Sequence, residues 1–457
     1  MTQDQALSIL KTGANVFLTG EPGSGKTHTI NRFVAWLREH DIQPAVTAST
    51  GIAATHINGQ TIHSWSGIGI RNYLTKLDLN HITSNKGIAN RVRSAKILII
   101  DEISMLSAHT LGLVDTACRA VRGIPKPFGG LQVILVGDFF QLPPVVAREE
   151  QRDGEGELFI DYDTPQNPFA FNAPAWKALK LTTCYLSEQY RQDDPTFLAL
   201  LSAIRSQSIS AEHHALLQTR LTRSVAGGVT QFFSHNADVD RVNTIKLTTL
   251  PDKAHVFKAE HHGPKHLIER LMRGCLSPEL LTLKLGAQVM FTKNDIMRHQ
   301  FVNGTLGIVT GFSKEEGYPL ITTHAGRVIC AKQAEWGIED GGKVLAHITQ
   351  ITLRLAWAIT IHKSQGMSLD GAHMDLSNAF EYGQGYVALS RIRTLSGLSL
   401  VGFNERALKV HPDVATQDVI FKEASKKAQA ECTDISSHEL TKKHNEFVVA
   451  CDGNVKR

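Results

Sequence analysis

The stretch Gly20-Glu21-Pro22-Gly23-Ser24-Gly25-Lys26-Thr27 has the pattern G-x-x-x-x-G-K-T, and with its surroundings it restricts the fold more than any other segment. An apolar run, Asn15-Val16-Phe17-Leu18-Thr19, precedes it, and a helical pattern of Ile30, Phe33, Val34 and Leu37 follows. A strand, a glycine-rich turn and a helix N-terminus together make an anion cradle of backbone N–H groups reinforced by the helix dipole. Gly23 and Gly25 let the backbone come close to phosphate without a Cβ in the way. Gly23, Ser24, Gly25, Lys26 and Thr27 are therefore candidate nucleotide ligands, with Lys26 reaching the β- and γ-phosphates and the Thr27 hydroxyl on Mg²⁺. The plain alternative is a chance glycine turn, and the flanking strand and helix weigh against it.

A chain of 457 residues is too long for one core, so two or three domains are expected. With 42% hydrophobic and 20% charged residues it has the balance of a soluble globular protein. No apolar run approaches the roughly 20 residues needed to span a bilayer, and the opening Met1-Thr2-Gln3-Asp4-Gln5 is no secretory leader. Six scattered cysteines without a C-x-x-C pair argue against a zinc site or a disulfide framework, and fit a reducing, cytoplasmic setting. The net charge of +4 does not by itself demonstrate a nucleic-acid partner.

Up to about residue 190, short apolar runs (Val16–Thr19, Ala45–Ala48, Ile97–Ile100, Val133–Val136) alternate with helical stretches, as buried parallel strands of a doubly wound α/β domain do. Polar sequence from Ser66 to about Asn90 marks a small inserted subdomain, and the acidic Glu149–Glu157 a solvated loop. A second α/β unit starts near Leu186. It takes in a helix around Phe197–Ile204 and strands at Thr230–Phe233, His347–Leu353 and Leu398–Gly402. Between them, short β-rich pieces from Leu285 to about Ala346 suggest a small antiparallel barrel. Beyond Asp413 the sequence is charged and reads as a tail of unassigned role.

Ile97-Leu98-Ile99-Ile100-Asp101-Glu102 delivers two carboxylates at a buried strand end. Asp101 suits Mg²⁺, and Glu102 suits orienting and polarising an attacking water. A third run, Val133–Val136, leads into Gly137-Asp138-Phe139-Phe140-Gln141, where Gln141 can both donate and accept. Arg191 and Arg391 are each either a cation reaching the γ-phosphate, worth about 10³–10⁵ in rate, or a surface pair worth about 0–1 kcal/mol. Thr47–Ala54, Thr61–Trp65 and Ile361–Gly366 combine hydroxyls, glycines, His and Lys, which suit phosphate contacts; His63, Trp65 and Phe140 have faces for base stacking. Trp65 is equally suited to the core.

GEPGSGKT, TASTGIAA, TIHSWSGIG, DEISM, KPFGGLQVILVGDFFQLPPV, LSEQYRQ, AITIHKSQGMSLD and GQGYVALSRIR follow one another from Gly20 to Arg393. In this order they resemble the Pif-one DNA helicases, the RecD-like 5′-to-3′ branch of helicase superfamily one. The resemblance implies two RecA-like domains with parallel sheets, at 1–185 and 186–412, followed by the charged tail 413–457. A wedge-type insertion at about 66–90 and an Src-homology-three-like β-barrel insertion at about 295–343 are also implied. It implies an ATP- and Mg²⁺-dependent motor on single-stranded DNA that unwinds tailed or forked duplex, and admits quadruplex DNA. Roles in replication, repair, recombination or telomere-type maintenance go with it, as does a monomer in a bacterial or phage-infected cell. Lys26, Glu102 and Gln141, with the fingers Arg191 and Arg391, carry catalysis in this picture, and Thr27 and Asp101 hold Mg²⁺. Gly366 lies by the γ-phosphate, and Thr50, His63, Phe140, His362 and Ser364 line the strand path. The adenine-reading glutamine is Gln5, with Gln3 as its rival.

Two rivals come from other classes. A phosphotransferase on a small molecule would hydrolyse ATP indifferently to DNA, and the late arginine block counts against it. A DNA-binding module with a regulatory nucleotide would not turn ATP over, and Glu102 and Gln141 count against that. An RNA substrate or a nuclease-associated subunit stays open within the motor reading.

Overall fold

Aliphatic runs without a polar break cannot leave one face in water, so they form strands covered on both sides. The computed structural model describes every residue except 58, 70, 145–167, 191, 193, 223–228, 234–235, 294, 296–299, 302, 324–325, 341–342, 362–363, 365–368, 370 and 456–457. The acidic stretch Glu149–Glu157 lies outside the described residues. The chain divides into two compact units, one of Met1–Arg191 with Val410–Arg457 and one of Gln192–Lys409.

The first unit holds β1 (Val16–Gly20), β2 (Ala45–Ala48), β3 (Gln60–Thr61), β4 (Ile97–Asp101), β5 (Gln132–Val136) and β6 (Thr182–Leu186). They form one sheet in the order β3-β2-β4-β5-β1-β6, parallel throughout. All four expected strands are present, and β3 and β6 join them. The polar stretch after Ser66 is helical, with helices Lys76–Ser84 and Lys86–Ser94.

The expected tail is folded. Helices Pro412–Asp434 and Ser437–Ala450 close over the first unit. Phe421 enters an aromatic layer, 4.8 Å from the Phe17 ring centroid, with Phe139 and Trp176 beside it. Phe447 stacks on Trp36 and lies over Gly13, where a Cβ would come within 2.5 Å of its ring. Ser425 Oγ accepts the Tyr185 N–H of β6 at 2.9 Å, pairing a donor on the edge strand. Buried positions in the first of these helices are Val414, Asp418, Phe421, Ser425 and Ala428. Polar residues at two of the five obscure the helical period in the sequence.

The second unit has its own parallel sheet, in the order Ala358–Thr360, Thr230–Phe233, Ala372–Leu376, Leu398–Phe403. The segment His347–Leu353 is not part of it. Lys343–Ile351 pairs antiparallel with Gln333–Asp340 and Glu260–His262, and Leu353–Leu355 pairs antiparallel with Gln288–Phe291. The alternation of half-buried His347 and Thr349 with buried Ile348 and Gln350 is that of a strand with one wet face. Antiparallel sheets thus run from His255 to Leu355, wider on both sides than 295–343.

Candidate nucleotide and strand site

The first unit gathers its candidate residues at the C-terminal ends of β1, β4 and β5. In open parallel sheets, ligands bind there. After β1 the loop turns through Gly23 at φ 91° and Gly25 at φ 86°, both left-handed, and Lys26 opens the helix Lys26–Glu39. Lys26 Nζ donates to the carbonyls of Gly20 (2.8 Å) and Glu21 (3.1 Å). Ser24 is 1% exposed and its Oγ has no hydrogen-bond partner among the described residues. An orphaned hydroxyl under a phosphate loop fits an anionic ligand. Thr27 is exposed on the first helical turn.

At the end of β4, burial raises the Asp101 carboxyl pKa, while the Glu102 N–H and the Lys26 ammonium pull it down. Glu102 has φ 52° and ψ 46°, a left-handed backbone that a side chain adopts only at a cost of about 1–3 kcal/mol. Its N–H donates to Asp101 Oδ1 at 2.8 Å, and its carbonyl accepts from Ser49 Oγ at 2.8 Å and from the Met105 N–H at 3.1 Å. Among the described residues, no three His, Cys, Asp or Glu side chains converge as a metal cage. Mg²⁺ binding needs no such cage, because it commonly uses one or two protein ligands with phosphate and water. Thr27 and the Asp101 carboxylate fit that pattern.

Beyond β5, Gln141 is 6% exposed and its N–H donates to the Asp138 carbonyl. Phe140 is 3% exposed, its N–H bonded to Asp138 Oδ1 at 3.2 Å. The ring is thus packed inside and offers no exposed stacking face. Trp65, 2% exposed, is likewise core. Thr50 and His63 are partly exposed, and the Thr50 hydroxyl accepts the Ala53 N–H.

The two glutamines separate clearly. Gln5 Oε1 accepts the Thr2 N–H in a capping box on the helix Gln3–Leu10. Gln3 Nε2 donates to the Ser24 carbonyl at 3.2 Å, directly under the phosphate loop. Helical periodicity alone gives no sign of which glutamine faces the loop; the cap does, because Thr2 followed three residues later by Gln5 is a capping signature.

The family-like block around Phe128 is architectural. Phe128, Gly129 and Gly130 are all left-handed, at φ 50°, 63° and 77°. Asp115 Oδ1 accepts the Phe128 N–H at 2.5 Å, and Arg122 binds the carbonyls of Gly129, Val92 and Ala95.

In the second unit, Arg391 is 1% exposed; its Nε donates to the Val387 carbonyl and its Nη2 to Ser390 Oγ, each at 2.9 Å. Gln192 Nε2 donates to the carbonyls on either side of it, Ser390 at 3.1 Å and Ile392 at 3.2 Å. Sequence reasoning gave Gln192 no role. Ser364 is fully buried, with its Oγ donating to the Ile361 carbonyl at 2.7 Å, so its hydroxyl is already engaged. Arg191, His362 and Gly366 lie outside the described residues.

The family model described as PIF1-like helicase matches residues 4–213, and that described as DNA helicase Pif1, 2B domain, matches residues 266–312. The ATP-dependent DNA helicase Pif1 of Psychrobacter sp. (strain PRwf-1) is 40% identical over 515 aligned positions, covering 100% of this chain and 76% of that protein. The ATP-dependent DNA helicase PIF1 of Homo sapiens is 36% identical and covers 91% of this chain. Only 63% of the human protein is covered, so the chain spans less than two thirds of its length. Bacteroides sp Pif1 in complex with ADP-AlF4 superposes with a TM-score of 0.76 at 30% identity, covering 92% of this chain and 96% of that one. Bacteroides Pif1 bound to ssDNA superposes with a TM-score of 0.63 at 30% identity, covering 93% and 96%.

Proposed function

Because the chain belongs to the PIF1-like helicase family, we propose that it is an ATP-dependent DNA helicase that moves 5′-to-3′ on single-stranded DNA and opens tailed or forked duplex. The observation that carries the chemistry is the left-handed Gly23 to Gly25 turn after β1, with Lys26 opening its helix, in the same parallel sheet whose β4 ends at Asp101 beside Glu102. Lys26 and the loop N–H groups bind the phosphates, and Thr27 and Asp101 hold Mg²⁺, which neutralises phosphate charge. Glu102 orients the attacking water, Gln141 senses the γ-phosphate, and Arg191 and Arg391 stabilise the charge that develops on it. Gln3 replaces Gln5 as the proposed reader of adenine, since it is the glutamine held against the loop. Thr50 and His63 face the strand. Single-stranded and forked DNA are the proposed partners, supported by Bacteroides Pif1 solved bound to ssDNA and by a Pif1 structure described as DNA unwinding at forked dsDNA. Quadruplex DNA, a monomeric state and a bacterial cytoplasm complete the proposal; among the described residues no helix is long and apolar enough to cross a membrane.

The test is Mg²⁺-ATP hydrolysis with and without single-stranded DNA, paired with unwinding of duplexes bearing a 5′ or a 3′ tail. Strong stimulation with unwinding from the 5′ tail alone is expected. A hydrolysis rate indifferent to DNA would point instead to a phosphotransferase.

A further inference from the structure

We propose that Ser49 is a positioning residue that couples the DNA strand at Thr50 to the hydrolytic carboxylate of Glu102. The inference rests on the roles proposed above for those two residues. β2 and β4 pair in parallel through Val46–Ile99, Thr47–Ile100 and Ala48–Asp101. One residue past the last pair, the Ser49 N–H donates to the Asp101 carbonyl at 3.1 Å. The Ser49 hydroxyl donates to the Glu102 carbonyl at 2.8 Å. Ser49 thus carries the strand pairing beyond the sheet and onto the acidic pair.

Glu102 is the residue most sensitive to such a hold. A left-handed non-glycine backbone persists only where its surroundings over-determine it. Here the Asp101 carboxylate fixes the N–H of Glu102, and the Ser49 hydroxyl with the Met105 N–H fixes its carbonyl. Without the hydroxyl, one restraint is gone, and strand binding at Thr50 no longer steadies the φ and ψ that aim the Glu102 carboxylate at its water. The other neighbour of Ser49 faces the strand. Thr50 accepts the Ala53 N–H on its hydroxyl and the Ala54 N–H on its carbonyl, so it begins the helix Gly51–His56. A pull on Thr50 therefore reaches Glu102 through one covalent link and one hydrogen bond. Ser49 itself is 7% exposed, and its hydroxyl is turned to Glu102 rather than to a ligand.

Steady-state hydrolysis of Ser49→Ala, with and without a saturating oligothymidine, tests this, alongside oligothymidine affinity by fluorescence anisotropy. The ratio of stimulated to unstimulated kcat is expected to fall roughly tenfold, the equivalent of one lost hydrogen bond. The KM for ATP and the affinity for oligothymidine are expected to hold, and Ser49→Thr, which keeps the hydroxyl, to restore the ratio. A general loss of structure would not move that ratio selectively. Should Ser49→Ala fail to fold, Ser49→Cys supplies the same shape with a poor donor and the same expected loss. An unchanged ratio, a parallel loss of oligothymidine affinity, or a Ser49→Thr no better than Ser49→Ala overturns the proposal. Wild-type hydrolysis indifferent to oligothymidine overturns the helicase function itself. A stimulated wild type with an equally stimulated Ser49→Ala overturns the coupling alone.

Discussion

In the first unit, Lys26 and Glu102 stand on backbone bent into the left-handed region, Lys26 directly after Gly25 and Glu102 by its own φ of 52°. In the second, Arg391 follows the helix Gln384–Leu389 through Ser390 at an ordinary φ of −65°. Its place is set by side chains instead: Ser390 on its guanidinium and Gln192 on the carbonyls before and after it. Backbone geometry needs glycines at short fixed spacing. A side-chain network recruits residues from anywhere in the chain, and Gln192 is 200 positions from Ile392. The first kind of order is local and the second is not.

The largest effect should come from Arg391→Ala. A kcat loss of about 10³–10⁵ is expected with ATP binding retained, read by single-turnover hydrolysis beside nucleotide titration. A loss confined to binding would mean that the second unit only holds nucleotide. Glu102→Gln should cost about 10²–10⁴ in kcat with the fold intact. If its turnover stays near wild type, the strained strand end serves some other purpose.

Gln192→Met sharpens the contrast, because it keeps the length of the side chain and removes both donated hydrogens. Roughly a tenfold fall in kcat is expected at unchanged KM for ATP, with no further fall in an Arg391→Ala background. Additive losses in the double variant would show that Gln192 does not act through Arg391.

The smallest effect concerns stability. Burial raises the folded-state pKa of Asp101. A carboxyl with a raised folded pKa contributes stability below its unfolded value of about 3.9, and that contribution is lost as pH rises through the folded value. Above the unfolded value the wild type therefore bears a cost that Asp101→Asn lacks. The variant should melt above wild type near pH 7, with the lead closing towards about pH 4. Identical melting at every pH would show that Asp101 bears no such burden.

The same contrast decides what could be read from the chain alone. β1, β2, β4 and β5 were legible because buried parallel strands leave unbroken apolar runs. The phosphate loop and Asp101-Glu102 were legible because their chemistry lies within a few consecutive residues. Gln192 and Ser49 act through hydrogen bonds to carbonyls, for which no residue pattern exists. Phe140 and Trp65 looked like stacking faces and are packed inside, since an aromatic next to a functional motif serves packing equally well. The helix Pro412–Asp434 is hard to read from the sequence because Asp418 and Ser425 interrupt an otherwise apolar stripe.

The first unit takes its last pieces from the far end of the chain. Roughly 230 residues lie between β6 and Phe421, and at about 5–20 residues per second a ribosome needs on the order of 10–45 seconds to bridge them. Throughout that interval Phe17 and Trp176 lack the ring that completes their layer, and Tyr185 lacks Ser425. Synthesis that stalls within the second unit therefore leaves a nascent protein whose nucleotide loop is already made and whose greasy flank is still uncovered, the kind of species that chaperones are there to hold.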